Sequence, residues 1–125
     1  LVKLQGEGIG VSLFIDPDRK QIEAAGKVGA GMVELHTGRY ADAKNERGQG
    51  RYFKEIETAA RYAKLRGLQV FAGHGLNYNN VSRVARIEAI EELNIGYSIV
   101  CRAILVGLGQ AVKEMKALIR NAKGN

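Results

Sequence analysis

Met32-Val33-Glu34-Leu35-His36-Thr37 is a short run of strand-forming residues with helix-like segments on both sides. Runs of the same kind occur at residues 11–15, 68–72 and 93–95, and each is followed by apolar residues at helical spacing. Strands that alternate with helices form a parallel sheet joined by right-handed crossovers. The sequence therefore predicts an α/β fold made of four consecutive βα units within a single domain, residues 1–125.

Local signals place the ends of the predicted helices. Asp16 followed by Pro17 is typical of an N-cap and a first helical residue, and Gly29 and Gly67 are typical of helix ends. Residues 38–50 are polar and predict a loop, with Tyr40 and Tyr52 flanking a mobile segment. The apolar helix positions are Ile22, Ala25, Val28, Ile56, Ala59, Ala60, Ala63, Val81, Val84, Ala85 and Ile90. Gly107 and Gly109 predict a division of the last helical stretch.

Four parallel strands are half of what a (β/α)8 barrel needs, while a flavodoxin-like sheet uses about five strands. Alone, four strands leave two open edges and an inner face without its opposite wall. We therefore expect a missing partner, either an N-terminal half-barrel or a second copy of the chain. At least a dimer is expected for this chain, because the open edges and the inner face need cover.

Composition narrows the possible partners and the compartment. The 125 residues carry a net charge of +6, but the basic residues are mixed with acidic ones on helical segments, so no nucleic-acid partner is expected. The single cysteine, Cys101, excludes an intrachain disulfide and favours a cytoplasmic location. No apolar run is long enough for a transmembrane helix, and no secretory leader is visible. A start at Leu1 fits processing or a piece of a longer protein.

The carboxyl ends of the strands are where parallel barrels place their chemistry. Glu34 and His36 have the same parity on one strand and so point to the same face, either toward a substrate or as a buried structural pair. His74 lies between Gly73 and Gly75, which allow close approach to a ligand. Its imidazole is either a proton-transfer group or an ordinary loop histidine.

The last strand leads into Gly96-Tyr97-Ser98, which opens a helix. Free N–H groups at a helix N-terminus bind anions, so this segment is a candidate phosphate site; ordinary capping by Ser98 is the alternative. Asp16 is interpreted as an N-cap and Cys101 as a small buried apolar residue. No spacing of histidines and cysteine matches a metal site, and no P-loop is present.

Several of these strings together resemble the pyridoxine 5'-phosphate synthase family in order and spacing. They are Val11-Ser12-Leu13-Phe14-Ile15-Asp16, Glu34-Leu35-His36-Thr37-Gly38 with Tyr40-Ala41, Ala72-Gly73-His74-Gly75-Leu76-Asn77-Tyr78, and Glu92-Leu93-Asn94-Ile95-Gly96. The helix from Arg102 to Lys116 is similar to the last helix of that family. The resemblance covers nearly the whole chain but only the second half of the family's TIM barrel, strands 5–8.

The resemblance implies a ring-closing transferase of vitamin B6 biosynthesis, and a homo-oligomer for the whole protein. That family condenses 3-amino-2-oxopropyl phosphate with 1-deoxy-D-xylulose 5-phosphate and uses no metal and no organic cofactor. By resemblance, His74 is the proton donor, Glu34 stabilises a transition state, and Gly75 and Gly96 bind the aminoketone phosphate. Tyr97 stands where the family usually has histidine, and it also belongs to the predicted substrate site.

The family's other catalytic histidine and its second catalytic glutamate lie in the N-terminal half. We therefore expect this chain alone to be inactive, because proton transfer needs an acid and a base in reach. The alternative is a non-catalytic, self-associating half-barrel scaffold with residual phosphate binding. No membrane partner is expected in either case.

Overall fold

The four strands form one parallel sheet in the order β1-β2-β3-β4, as seen in a computed structural model that describes residues 1–124. The strands are β1 (Ser12–Ile15), β2 (Met32–His36), β3 (Gln69–Gly73) and β4 (Glu92–Asn94). The register aligns Phe14, Glu34, Phe71 and Glu92 across the sheet. The predicted α/β class with four alternating units is confirmed.

Within residues 1–124 there are seven helices, of which the first precedes the strands and the others connect or follow them. They are α1 (Val2–Gly6), α2 (Arg19–Lys27), α3 (Gly38–Ala41), α4 (Glu46–Leu65), α5 (Val81–Ala85), α6 (Tyr97–Val106) and α7 (Leu108–Ala122). Gly29 and Gly67 follow α2 and α4 with φ of +80° and +81°, values that glycine adopts without strain. Both predicted helix ends are confirmed.

The core lies between one face of the sheet and helices α2, α4 and α5. Alternate strand residues point into it, and four of them are fully buried: Val33, Leu35, Val70 and Ala72. The helices contribute periodic apolar residues that the sequence predicted, which include Ile22, Ala25, Ile56, Ala59, Ala60, Ala63 and Val84. The prediction for Val28 is wrong, since this residue follows α2 and is 54% exposed. We call the face of the sheet that packs against these helices the outer face, and the opposite face the inner face.

The prediction that Asp16 caps α2 is wrong. Asp18 is the N-cap, since its Oδ1 accepts hydrogen bonds from the N–H groups of Lys20 and Gln21 at 2.9 and 3.1 Å. The Asp16 backbone N–H instead donates to the Gln21 Oε1 at 3.0 Å. The sequence offers two carboxylates around Pro17, and the second is the one that reaches the free N–H groups of the first turn.

The predicted loop at residues 38–50 is largely helical. It holds the single turn α3 and the start of α4, which Asn45 caps by accepting from the Gly48 N–H at 2.8 Å. Tyr40, expected beside a loop, is instead a buried residue of α3. Its side chain is 1% exposed, and its hydroxyl donates to the Asn80 carbonyl at 2.8 Å. Burying the ring and satisfying its hydroxyl make Tyr40 a core residue.

Three smaller predictions are also corrected. Ile90 lies beyond α5, which ends at Ala85, although the side chain is buried as expected. Cys101 is exposed rather than buried, and no residue of α6 is fully buried. Gly107, with φ of +81°, separates α6 from α7, whereas Gly109 lies within α7. None of the helices described within residues 1–124 is both long and apolar enough to cross a bilayer.

Candidate functional site

A cleft of about 770 Å³ opens at the carboxyl ends of the strands. Its walls come from every βα unit of the chain, because parallel strands all end at the same edge of the sheet. Among the lining residues are Phe14, Glu34, His74, Gly75, Gly96 and Tyr97. The structure therefore brings all five predicted site residues to one cleft.

Glu34 points to the inner face and is held from two sides. Its Oε2 accepts a hydrogen bond from Asn94 Nδ2 at 2.9 Å, across 60 residues of sequence. Its Oε1 occupies the space that a Cβ on Gly73 would fill. Glycine at position 73 is therefore required for the carboxylate to lie over β3. One side of the carboxylate is fixed by protein atoms, and the cleft lies on the other.

His74 immediately follows β3 and has the unusual φ of +81°. Its imidazole stacks on that of His36, with ring centroids 4.6 Å apart and an interplanar angle of 24°. The His36 ring also contacts Phe14, with centroids 5.1 Å apart. A Cβ on Gly38 would approach the His36 Cε1 to 2.5 Å and the His74 Cδ2 to 3.2 Å. Gly38 thus leaves room for the stacked pair.

The loop that carries His74 is attached to the last two helices. Ser98 Oγ donates to the Leu76 carbonyl at 2.9 Å, and the Tyr78 hydroxyl donates to the Ala111 carbonyl at 2.9 Å. Asn77 Oδ1 accepts from the N–H groups of Asn79 and Asn80, as expected for a turn. The loops after β3 and β4 therefore form one braced wall of the cleft.

Helix α6 begins at this wall. Gly96 is its N-cap, and no side chain caps the helix. Capping by Ser98 is therefore wrong, since its hydroxyl bonds the neighbouring loop instead. Uncapped N–H groups and the helix dipole favour an anion at this position. Tyr97 is 87% exposed and extends the rim of the cleft.

The cleft contains few charges on its described lining. Glu34 and Asp42 are the acidic residues there, and neither Lys nor Arg is among the residues that line it. No set of three or more His, Cys, Asp or Glu within residues 1–124 could hold a metal ion. An anion would therefore be bound by backbone N–H groups, the α6 dipole and His74 rather than by a basic side chain of this wall.

A second concavity, of about 580 Å³, lies between α2 and α4 on the outer layer. Its charged side chains are already paired, as Arg51 bonds Glu55 at 3.1 Å and Arg19 bonds Glu23 at 3.0 Å. It contains no histidine and lies away from Glu34 and His74. The cleft at the strand ends is therefore the better candidate for chemistry.

Sequence reasoning did not single out Asn94 and Thr37. Asn94 has the same parity on the fourth strand as Glu34 on the second, so alignment of the strands would have suggested it. Thr37 is fully buried at the end of β2 and bonds the loop of His74. Its partner lies 36 residues away, and no local pattern indicates that contact.

The sequence matches the family described as pyridoxal phosphate biosynthesis protein PdxJ over residues 1–121. It is similar to curated proteins named pyridoxine 5'-phosphate synthase. One from Thermosynechococcus vestitus is 58% identical over 116 residues, which are 93% of this chain and 49% of that protein. One from a Sulfurihydrogenibium species is 52% identical over 120 residues, covering 96% of this chain and 49% of that protein.

A relative from a Geobacter species is 55% identical over 120 residues, covering 96% of this chain and 50% of that protein. The chain therefore spans about half the length of the curated relatives that it matches. Identity above 50% over nearly the whole chain extends the similarity well beyond the residues of the cleft.

Proposed function

Because the chain belongs to the pyridoxal phosphate biosynthesis protein PdxJ family, we propose that it is the C-terminal half of a pyridoxine 5'-phosphate synthase. Its strands β1–β4 would then be strands 5–8 of a (β/α)8 barrel. The whole protein would condense 3-amino-2-oxopropyl phosphate with 1-deoxy-D-xylulose 5-phosphate. The observation that carries the proposal is the meeting of Glu34, His74 and the start of α6 in one cleft at the strand ends.

In this proposal His74 donates a proton to the reacting substrate. An imidazole suits that task because it exchanges protons near neutral pH. The stack on His36 limits rotation of the ring, and the glycines on both sides leave the backbone open to a bound molecule. Glu34, fixed by Asn94, would stabilise positive charge that develops on the reacting aminoketone.

The phosphate of the aminoketone is proposed to lie between Gly75 and Gly96. Gly75 has φ of +77°, and a Cβ added there would lie 2.6 Å from the Ala41 Cβ, so this backbone position requires glycine. Gly96 opens α6, whose uncapped N–H groups favour an anion. Tyr97 contributes a hydroxyl that can donate a hydrogen bond but carries no positive charge. The remaining neutralisation of the phosphate would come from the other half of the barrel.

The same proposal makes this chain insufficient for turnover. The inner face of the sheet is open, with Phe14 55% exposed. Residues 1–124 contribute His74 and His36 as the histidines and Glu34 as the fixed carboxylate near the cleft. A second base and the binding site for the second substrate would be supplied by the N-terminal half of the protein.

A chimera tests the proposal. The N-terminal half of the Geobacter relative, fused to this chain, is expected to form pyridoxine 5'-phosphate from the two substrates. His74→Asn should lower kcat by about 100-fold or more, because proton donation contributes about 10²–10⁴-fold. Glu34→Gln should lower kcat as well. Glu92→Gln is the matched control, since Glu92 lies on the same inner face of the sheet but is not among the residues that line the cleft.

A chimera that turns over equally well with His74→Asn would contradict the assigned role of His74. A chimera that folds but makes no product would contradict the assignment of this chain as the C-terminal half.

A non-catalytic, self-associating scaffold is the second candidate, and a specific observation favours it. Helix α6 and the start of α7 expose Ile104, Leu105 and Leu108, while Phe14 is exposed on the inner face. Exposed apolar patches of this kind promote association. Light scattering at micromolar concentration should then show a dimer or larger species, and inorganic phosphate should shift the NMR signals of Gly75 and Gly96. A clean monomer would contradict self-association.

A further inference from the structure

We propose that Thr37 is a positioning residue that sets the backbone conformation of His74 and thereby aims its imidazole into the cleft. The catalytic meaning of this inference rests on the proposed function. The conformational part does not, because it concerns only contacts within this chain.

His74 is the only non-glycine residue with positive φ in the part of the chain that the structure describes. At φ of +81° its Cβ is crowded by its own backbone, so the conformation is strained. Such strain persists only where surrounding contacts hold it, and it is typical of functional sites. Something must therefore hold His74 in place.

Thr37 makes the contacts that do so. Its Oγ1 lies 2.7 Å from the Gly73 carbonyl oxygen and 2.6 Å from the His74 carbonyl oxygen, and both are hydrogen-bond acceptors. Its backbone N–H also donates to the Gly73 carbonyl at 2.8 Å. One hydroxyl hydrogen is shared between the two carbonyls, while the N–H secures the first of them.

The two carbonyls belong to the peptide planes before and after the Cα of His74. Holding both planes from one point fixes both φ and ψ of His74, since these angles are the rotations of the two planes about that Cα. Thr37 is fully buried, its bond to the Gly73 carbonyl is buried and its bond to the His74 carbonyl is partly buried, so water competes little for the hydroxyl. The hydroxyl therefore stabilises the left-handed conformation directly.

Helix capping does not explain this hydroxyl. Thr37 is at the N-cap position of α3, but its side chain makes no capping hydrogen bond there. Its neighbour His36 points to the opposite side of β2 and stacks on the His74 ring. Two consecutive residues, the last of β2 and the one after it, thus hold His74: His36 contacts its imidazole and Thr37 its backbone.

The first experiment compares Thr37→Val with Thr37→Ser in the chimera. Valine keeps the shape and removes the hydroxyl, whereas serine keeps the hydroxyl. Thr37→Val should lower kcat by about 100-fold, the scale of a misplaced catalytic group, with KM changed much less. Thr37→Ser should restore most of kcat. Equal kcat for the two variants would overturn the positioning role.

The second experiment uses the chain itself and requires no turnover. The backbone couplings and chemical shifts of His74 report the sign of φ by NMR. Thr37→Val should lose the left-handed signature, and Thr37→Ser should keep it. An unchanged signature in Thr37→Val overturns the inference. An inactive parent chimera would instead count against the proposed function, while this measurement still decides the role of Thr37.

Should Thr37→Val fail to fold, the double variant Thr37→Val/His74→Gly decides the question. Glycine adopts positive φ without strain, so the hydroxyl is no longer needed to hold residue 74. Recovery of a folded chain supports the inference, and an equally unfolded double variant overturns it.

Discussion

The outer and inner faces of the sheet are made by alternate residues of the same strands, yet they differ in what covers them. Val33 and Leu35 on the outer face are fully buried beneath α2 and α4. Glu34 and His36, between and beside them, face a side where Phe14 is 55% exposed. One strand thus contributes to a buried core on one face and to the partly exposed candidate site on the other.

The difference teaches which property each face serves. Burial of apolar side chains stabilises the outer face with residues of this chain alone. The inner face holds polar groups by directed contacts, Glu34 to Asn94 and His36 to His74. Such contacts at a half-open surface contribute little to stability but fix geometry. The chain should therefore fold around the core on its outer face, and its inner face should remain free to bind a partner.

The largest expected effect separates the two faces by stability. Leu35→Ala should lower the free energy of unfolding by about 2–5 kcal/mol, since it leaves a cavity in the core. Phe14→Ala, the matched inner-face control, should cost no more than about 1 kcal/mol, because over half of that side chain is already exposed. Urea unfolding of the chain measures both. Equal losses would remove the distinction between the faces.

The next effect concerns Tyr40, which ties α3 to the loop after β3. Tyr40→Phe should cost about 1–2 kcal/mol, because the buried Asn80 carbonyl loses its partner. Tyr97→Phe is the control and should leave stability nearly unchanged, as that side chain is exposed. Thermal and urea unfolding check the prediction. An unaffected Tyr40→Phe variant would place this contact among those that fix geometry only.

A gain in stability is expected at the strained residue of the site. His74→Gly should raise the free energy of unfolding by up to about 1 kcal/mol, since relief of the left-handed strain exceeds the entropy lost by glycine. Arg66→Gly, at φ of −84°, should instead lower stability. A destabilised His74→Gly variant would show that the stack on His36 outweighs the backbone strain.

The smallest expected effect is a pH dependence of stability, caused by the ion pair between α6 and α7. The Arg102 guanidinium, aided by Gln110, lowers the pKa of Glu114 below its ordinary value near 4.5 and joins α6 to α7. The unfolded chain therefore binds this proton at higher pH than the folded chain. The contribution is present above about pH 4.5 and is lost as the pH falls through the lower folded pKa.

Melting temperatures at about pH 5.5 and about pH 3.5 check the direction of this pH dependence. The first pH lies roughly a unit above the unfolded pKa of a glutamate and the second roughly a unit below it. Glu114→Gln should lose less on acidification than the parent chain. Glu57→Gln is the comparison, because Glu57 bonds Lys54 and Arg61 within one helix. Equal losses in the parent chain and Glu114→Gln would contradict a role for the α6–α7 pair.

Local sequence was enough for the four strands and the faces of those strands, and for most of the longer helices. The parity of Glu34 and His36, and the glycines at positions 29 and 67, follow from the periods of strands and from backbone sterics. The position of His74 at a strand end follows from the same pattern. These features depend on residues that are neighbours in the chain.

Contacts between distant segments could not be predicted in this way. Tyr40 bonds Asn80 across 40 residues, and Glu34 bonds Asn94 across 60. The loop that was expected at residues 38–50 is helical because such contacts and the Asn45 cap outweigh its polar composition. The roles of Asn94 and Thr37 became visible only once the strands were aligned.

The central claim is that the inner face is half of an active site. Product formation from 3-amino-2-oxopropyl phosphate and 1-deoxy-D-xylulose 5-phosphate, measured with this chain alone and with the chimera, tests it most directly. Turnover by the chimera with none by the chain is the predicted result. Turnover by the chain alone would contradict the claim, since the groups required for both proton transfers would then lie within this chain or a second copy of it.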